Sequence, residues 1–282
     1  MIDTVLPLHK AAEQGRIEDV QFWVDHANDV VSSEFDLALR LAAEHGHTEC
    51  VRLLIPVSNP KECDSVALEK AAEWGHSDCV ALLIPVSDPK ADQCVALWTA
   101  ADKGHTECVR LLIPVSDPQA YGNLALQAAA EMGYPRCLEL LIPVSNVNAG
   151  NGRALRLAAE RGHVECVKML LPFSTNLELK LSPLVGAARR DHVECVVELM
   201  AGATEEQIDL ALMEALRHGS KDCSYALFPH CRPERVLSEM KDLPKAVAWL
   251  ETQMAEQQRQ VLQHALEEGN RAPRAPNVAR KI

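Results

Sequence analysis

The sequence has few aromatic residues and no long apolar run, and its first residues lack the pattern of a signal peptide. Phe, Trp and Tyr make up 4% of the 282 residues, although 48% of the residues are hydrophobic. Such a chain builds its core mainly from Ala, Leu and Val, which favours thin, closely packed helices. No apolar stretch approaches the ~20 residues of a transmembrane helix, and the opening segment lacks the basic region and apolar run of a Sec signal. We therefore expect no membrane association, and a location in the cytoplasm or, through a non-Sec route, inside a host cell.

Basic residues are also fewer than acidic residues. The chain has 28 Lys and Arg residues against 40 Asp and Glu residues, which gives a formal net charge of −12. This charge opposes binding to nucleic acid and favours a protein partner with a basic or neutral surface. We expect the chain to be a monomer. Its ten Cys residues are expected to be reduced, because a chain of this size without a secretion signal is unlike the small disulfide-linked proteins.

Several motifs of enzymes and metal sites are missing. The chain contains no C-x-x-C, G-x-S-x-G, H-E-x-x-H or G-x-x-x-x-G-K-S/T sequence. The segment 150–152, Gly-Asn-Gly, is similar to the start of a phosphate-binding loop, but it lacks the third glycine and a preceding strand and therefore predicts a turn. We assign no catalytic, cofactor-binding or metal-binding residue, and we expect that the protein is not an enzyme.

The sequence does contain a repeat with a period of 29 residues. Pairs of alanines begin at positions 42, 71, 100, 129, 158 and 187 without an insertion between them. Residues 8–24 and 211–229 are looser copies of the same unit. A fixed period of this length is the signature of an array of stacked units.

Each unit predicts two short helices. In the copy at 67–89, apolar residues at helical spacing predict a first helix, which Gly75 ends because glycine tolerates positive φ. A second helix is expected to begin near Ser77, with the Ser77 hydroxyl as its cap, and to stop at Pro85. Residues 86–94 are expected to form a loop.

The unit A-L-x-x-A-A-x-x-G-H-x-E-x-V-x-L-L resembles the ankyrin repeat over roughly residues 5–230. This resemblance implies an all-α, helix-turn-helix solenoid of seven to eight repeats. The period is about four residues shorter than that of the usual ankyrin repeat, so we expect β-hairpin fingers that are shortened or absent. The near-identical copies are similar to ankyrin-repeat proteins of bacteria and large viruses. The implied function is a non-enzymatic protein-protein interaction module, acting as an adaptor, an inhibitor or a host-directed effector.

The pattern fades toward the C-terminus. Residues 204–207 predict a capping box, and residues 243–268 predict an amphipathic helix with Val247, Leu250, Met254, Val261 and Leu262 on its inner side. This helix is interpreted as a cap for the solenoid. We divide the chain into an N-terminal capping ankyrin repeat (1–34), six ankyrin-like repeats (35–207), a degenerate repeat (208–235), a C-terminal helical cap (236–268) and a disordered basic tail (269–282).

Histidine and cysteine recur together, as H-x-E/D-C, in five units. A structural role is expected for both, since buried reduced Cys packs as a small hydrophobic residue and the resemblance implies that the His side chain hydrogen-bonds neighbouring backbone. Cys63, Cys94 and Cys231 lie outside the register, the first two in expected loops, and are the better candidates for reactive thiols. The Cys residues predicted to lie in the core are Cys50, Cys79, Cys108, Cys137, Cys166 and Cys195.

The two residues before the glycine of each unit form the candidate binding site. In ankyrin arrays these positions face the concave side, so the resemblance implies that they contact a partner. The first position, the acidic row, is either a solvated ridge or a docking strip for a basic partner, and it comprises Glu44, Glu73, Asp102, Glu131 and Glu160. The second position, the variable row, either recognises the partner or has drifted neutrally, and it comprises His45, Trp74, Lys103, Met132, Arg161 and Arg190.

Two further points stay open at the level of sequence. Trp98 and Tyr121 are candidates to extend the binding patch, although either residue could instead pack between units. The alternative function is an enzyme or enzyme subunit whose chemistry lies in residues 203–282, where His218, His230 and His264 are the proton carriers at neutral pH.

Overall fold

A computed structural model describes residues 5–174 and 183–271 of the chain. Within these two ranges the secondary structure is helical and contains no β-strand, as expected for shortened or absent fingers. The helices form consecutive pairs, each with a first and a second helix. The pairs are α1 (Leu8–Glu13) with α2 (Ile17–Asp25), α3 (Ser32–Glu44) with α4 (Thr48–Leu54), α5 (Glu62–Glu73) with α6 (Ser77–Leu83), α7 (Val95–Asp102) with α8 (Thr106–Leu112), α9 (Ala120–Met132) with α10 (Pro135–Leu141), α11 (Ala149–Arg161) with α12 (Val164–Leu170), α13 (Pro183–Arg189) with α14 (Val193–Met200), and α15 (Glu205–His218) with α16 (Lys221–Leu227).

The pairs stack into an all-α solenoid. Each first helix packs on the first helix of the next pair, and the second helices do the same. The alanine pairs at this contact are fully buried, which brings neighbouring first helices close together. The second helices contribute Cys, Val and Leu, as Cys79, Val80 and Leu83 of α6 illustrate with no exposed surface. The predicted fold class is confirmed.

A Gly-His pair at the turn of four units, at 46–47, 75–76, 104–105 and 162–163, connects each of these units to its neighbours. Gly46 has a φ of +75°, and a Cβ placed there would lie 2.5 Å from Nδ1 of His76 in the next unit. The ring of His76 is held in place because its Nε2 donates to the main-chain oxygen of Glu44, at 3.0 Å. The predicted hydrogen bond from histidine to neighbouring backbone is confirmed, and it recurs at His47, His105, His163 and His192.

The expected cap at Ser77 is wrong. Helix α6 begins at Ser77 itself, so the N-cap position belongs to His76, and no side chain caps the helix. His76 cannot serve as the cap because its ring is already bonded to the preceding unit.

In five units a hydrogen bond within the unit replaces the hairpin finger. The polar side chain at the start of a first helix accepts the backbone N–H of the residue 23 positions later, in the connection that leaves the second helix. Ser65 accepts from Asp88 at 2.9 Å and Asn123 accepts from Asn146 at 2.7 Å. The Asp88 carboxylate then accepts the N–H of Lys90, at 3.0 Å, and turns the chain toward the next unit. These bonds satisfy backbone groups that a β-hairpin would otherwise pair.

Two of the expected reactive thiols are not in exposed loops. Cys94 is buried, and its Sγ accepts the backbone N–H of Asp117 at 3.2 Å, the role that Ser65 has one unit earlier. Cys63 lies within helix α5. Residues 91–93 of the expected loop form a short 3₁₀ turn. The segment 150–152 is a turn, as predicted, with all three residues at positive φ.

The array ends in two further helices, α17 (Pro233–Glu239) and α18 (Pro244–Arg271). The capping box is confirmed, since the Thr204 hydroxyl accepts from the N–H of Gln207, whose side chain accepts from the N–H of Thr204. In α18, Leu250 is fully buried and Trp249 packs edge-on against Phe228. Helix α18 includes residues 269–271 of the segment predicted as a disordered tail, and residues 272–282 lie outside the described ranges.

The distal half of α18 differs from the prediction. Val261 and Leu262 were expected on the inner side, but they are 64% and 65% exposed. The helix extends beyond the surface on which its first half packs, so these two apolar side chains stay exposed. None of the helices in the described part of the chain combines the length and the apolar character needed to cross a bilayer.

Candidate protein-binding surface

The variable row lies at the C-terminal ends of the first helices, one residue before the turn. All six side chains are exposed, including two large apolar ones, Trp74 at 56% and Met132 at 45%. They are exposed because the following residue leaves the helix at positive φ, as Gly75 does, which carries the chain away toward the second helix. The row therefore presents one side chain per unit along the array.

The acidic row is partly neutralised within the protein. Lys70 binds Glu73 at 2.6 Å, Lys103 binds Asp102 at 3.0 Å, and Arg156 binds Glu160 at 3.1 Å. Glu131 is bound by Arg161 from the next unit. Two of these cations, Lys103 and Arg161, belong to the variable row, so the two rows form one surface of mixed charge. These ion pairs argue against the interpretation that the acidic row offers free carboxylates to a basic partner.

Trp98 and Tyr121 occupy different settings. Trp98 is partly buried on the first helix α7, one turn before Asp102 of the acidic row. Tyr121 is 63% exposed and lies in the left-handed turn that opens α9, at φ +50°. Trp98 therefore lies one turn from the two rows, whereas Tyr121 lies at the opposite end of its helix from Glu131 and Met132.

A cavity of about 460 Å³ lies beside the first helices of the N-terminal units. Leu37 and Pro60 contribute apolar walls and Arg40 a polar group, where α3 meets the connection to α5. Sequence reasoning did not find this cavity, because its walls come from segments about 20 residues apart and only the stacking brings them together.

Sequence reasoning also missed the end of the acidic row. In the register of the alanine pairs, Arg189 and Arg217 occupy the acidic position in the next two units, and both bind Glu214. Burial opposes ionisation of Glu214, but the hydrogen bond from Arg217 and the charges of Arg189, Arg217 and His218 outweigh it and lower the pKa of the carboxyl. Extending the repeat by one step of 29 residues and one of 28 would have revealed both arginines.

The cysteines are poorly suited to nucleophilic chemistry. All six in-register cysteines are buried, which confirms their predicted place in the core. Burial, followed by the charge of Glu107, raises the pKa of Cys108 to about 11, and burial, followed by the charge of Asp209, does the same for Cys231. Thiols with such pKa values are protonated near neutral pH and react slowly. The described residues contain no group of three or more His, Cys, Asp or Glu side chains placed to hold a metal ion.

Comparisons with known proteins agree with the stacked helix pairs. A family model of ankyrin repeats matches residues 8–94, 68–151, 134–209 and 155–236. The chain is similar to the ankyrin repeat domain of Bcl-3, a member of the IkappaB protein family, with a TM-score of 0.55 and 25% identity over 71% of this chain and 100% of that one. It is also similar to the human ASB11 ankyrin repeat domain, with a TM-score of 0.55 and 23% identity over 81% of this chain and 99% of that one. No curated protein matches the chain.

Proposed function

The chain belongs to the ankyrin-repeat family, and we propose that it is a non-enzymatic module that holds a partner protein on its concave face. One observation carries this proposal. The variable row carries His, Trp, Lys, Met, Arg and Arg in six successive units, whereas the buried Ala pair is the same in all six. A surface in which one exposed position varies along a constant frame can match the irregular surface of another protein.

The side chains of the variable row suit this role. Trp and Arg are the residue types that most often dominate the energy of protein interfaces, and Met adapts its shape to its neighbour. Trp74 lies between His45 and Lys103 of the adjacent units, so a partner that covers it would bury an apolar ring inside a polar rim. This arrangement of an apolar centre and a polar rim is typical of protein-protein interfaces.

The finer role that we propose is an adaptor or a sequestering inhibitor. It would act as a monomer in the cytoplasm or, if it is delivered by a non-Sec route, as an effector in a host cell. The mixed charge of the two rows favours a partner whose surface is itself mixed or neutral over one that is uniformly basic.

The affinity of variant chains for a partner captured by the wild-type chain tests the proposal. Trp74→Ala should cost roughly 2 kcal/mol of binding free energy while leaving thermal stability unchanged. The matched control is Val197→Ala, which shortens a side chain that is 52% exposed on the second helix α14. Wild-type affinity in Trp74→Ala and in a Met132→Ala/Arg161→Ala double variant would place the site elsewhere. Turnover by the isolated chain in a broad hydrolase and transferase screen would favour an enzyme.

A further inference from the structure

The charge of the acidic row reverses toward the C-terminal end of the array. The row is acidic from position 44 to position 160, and then carries arginine in the next two units, on helices α13 and α15. These helices pack directly on one another, and α13 packs on α11. With two members of the variable row, the two arginines form the arginine end, which consists of Arg161, Arg189, Arg190 and Arg217.

The Glu214 carboxylate, which faces the arginine end, is already engaged. Glu214 is shared, since Nη2 of Arg189 lies 3.2 Å from Oε2 and Nη1 of Arg217 lies 2.8 Å from Oε1. Nδ1 of His218 lies 3.7 Å from the same carboxylate. One carboxylate therefore pairs with two guanidinium groups, and close to half of the surface of each arginine side chain stays exposed.

Three other acids near this end, Glu160, Glu131 and Asp191, have partners of their own. Arg156 binds Glu160, and Arg161 binds Glu131. Asp191 accepts the backbone N–H of Cys223 at 2.9 Å. This leaves the exposed side chain of Arg190 without a hydrogen bond or an ion pair within residues 5–174 and 183–271.

We propose that the arginine end binds a carboxylate-rich segment of the partner protein. This inference rests on the proposed function, because it assigns one end of the same concave surface to one kind of partner chemistry. The planar guanidinium group donates two parallel hydrogen bonds to a carboxylate, a geometry that Lys does not offer. Arg190 is the principal donor, and the exposed parts of Arg189 and Arg217 add to it. The alternative role of these arginines, to complement the negative ends of their own helix dipoles, requires no ligand.

A labelled octaglutamate peptide is a suitable probe. Adjacent first helices are about 10 Å apart, so the arginine end spans about 20 Å, which six to eight extended residues cover. Its affinity is measured at low ionic strength for the full chain, for Arg189→Gln/Arg190→Gln and for Arg190→Gln alone. The matched control is Arg52→Gln/Arg110→Gln, which removes the same charge from exposed arginines on the second helices α4 and α8.

We expect the wild-type chain to bind the peptide and Arg190→Gln to bind it roughly tenfold more weakly, with a larger loss in the double variant and little change in the control. Equal losses in the two double variants, or no binding by the wild-type chain, would overturn the inference. Exclusive binding of a phosphoserine peptide would overturn the carboxylate assignment. Reduced thermal stability with unchanged peptide affinity would favour the helix-dipole role instead.

The inference and the proposed function can fail separately. If Trp74→Ala weakens binding of the captured partner and Arg189→Gln/Arg190→Gln does not, the arginine end lies outside the site and the proposed function stands. If Arg189→Gln/Arg190→Gln, Trp74→Ala and Met132→Ala/Arg161→Ala all leave partner binding unchanged, the concave surface is not the site and both proposals fail.

Discussion

Where a glycine of an inter-helix turn faces the histidine of the next unit, the two residues depend on one another. Gly46 and Gly219 both have positive φ, at +75° and +73°, but only Gly46 faces a neighbouring ring, that of His76. We predict that Gly219→Ala costs about 1 kcal/mol of unfolding free energy from backbone strain alone. Gly46→Ala should cost about 1–3 kcal/mol more, because the new methyl group must displace His76. Urea unfolding of the two variants measures the difference, and equal losses would contradict this view of the Gly-His contact.

The buried cysteines predict a loss of stability at alkaline pH. Burial is the largest cause that raises the pKa of Cys108 from 9.0 to about 11, so the folded state keeps a proton that the unfolded state releases. The stabilisation is complete below pH 9.0 and is lost as the pH rises toward 11. Unfolding free energies in urea at successive pH values should fall over this window, with a smaller fall in Cys108→Ala.

Thiol reagents provide an independent check on the same residues. The six in-register cysteines should react only on unfolding, and the purified protein should carry no zinc. Six thiols that react rapidly in the native state, or stoichiometric zinc, would refute the packing role.

At the scale of elements, the two halves of α18 should contribute differently to stability. Leu250 is fully buried against the end of the array, whereas Val261 is 64% exposed. Leu250→Ala should cost about 2–5 kcal/mol of unfolding free energy, and Val261→Ala close to none. Thermal or urea unfolding of the two variants tests whether the first half of α18 caps the solenoid. A large cost for Val261→Ala would show that the distal half is also packed in solution.

The connections between units show where sequence reasoning reached its limit. A period of 29 residues is too short for a hairpin finger, and this much was predictable from length. The bonds that close the shortened connection were not, because they join residues 23 positions apart that the sequence does not mark as partners. Ser65, Cys94 and Asn123 share this role despite their different side chains, which is why Cys94 was misread as a loop thiol.

At the scale of the whole molecule, the fold could be predicted from sequence because one unit of 29 residues is repeated. The alanine pairs fix the register, and the register placed each member of the variable row at an exposed helix end. The cavity beside α3 and the sharing of Glu214 by Arg189 and Arg217 depend on contacts between units, so only the structure shows them.

Site-specific photo-crosslinking tests the central claim most directly. A photoreactive phenylalanine analogue replaces Trp74 in one variant and Val197 in another, so that equally exposed positions on a first and a second helix are compared. Both variants are irradiated with the captured partner, and crosslinked product is quantified by mass spectrometry. We predict efficient crosslinking from position 74 and little from position 197. Crosslinking from position 197 that equals or exceeds that from position 74 would contradict binding on the concave face.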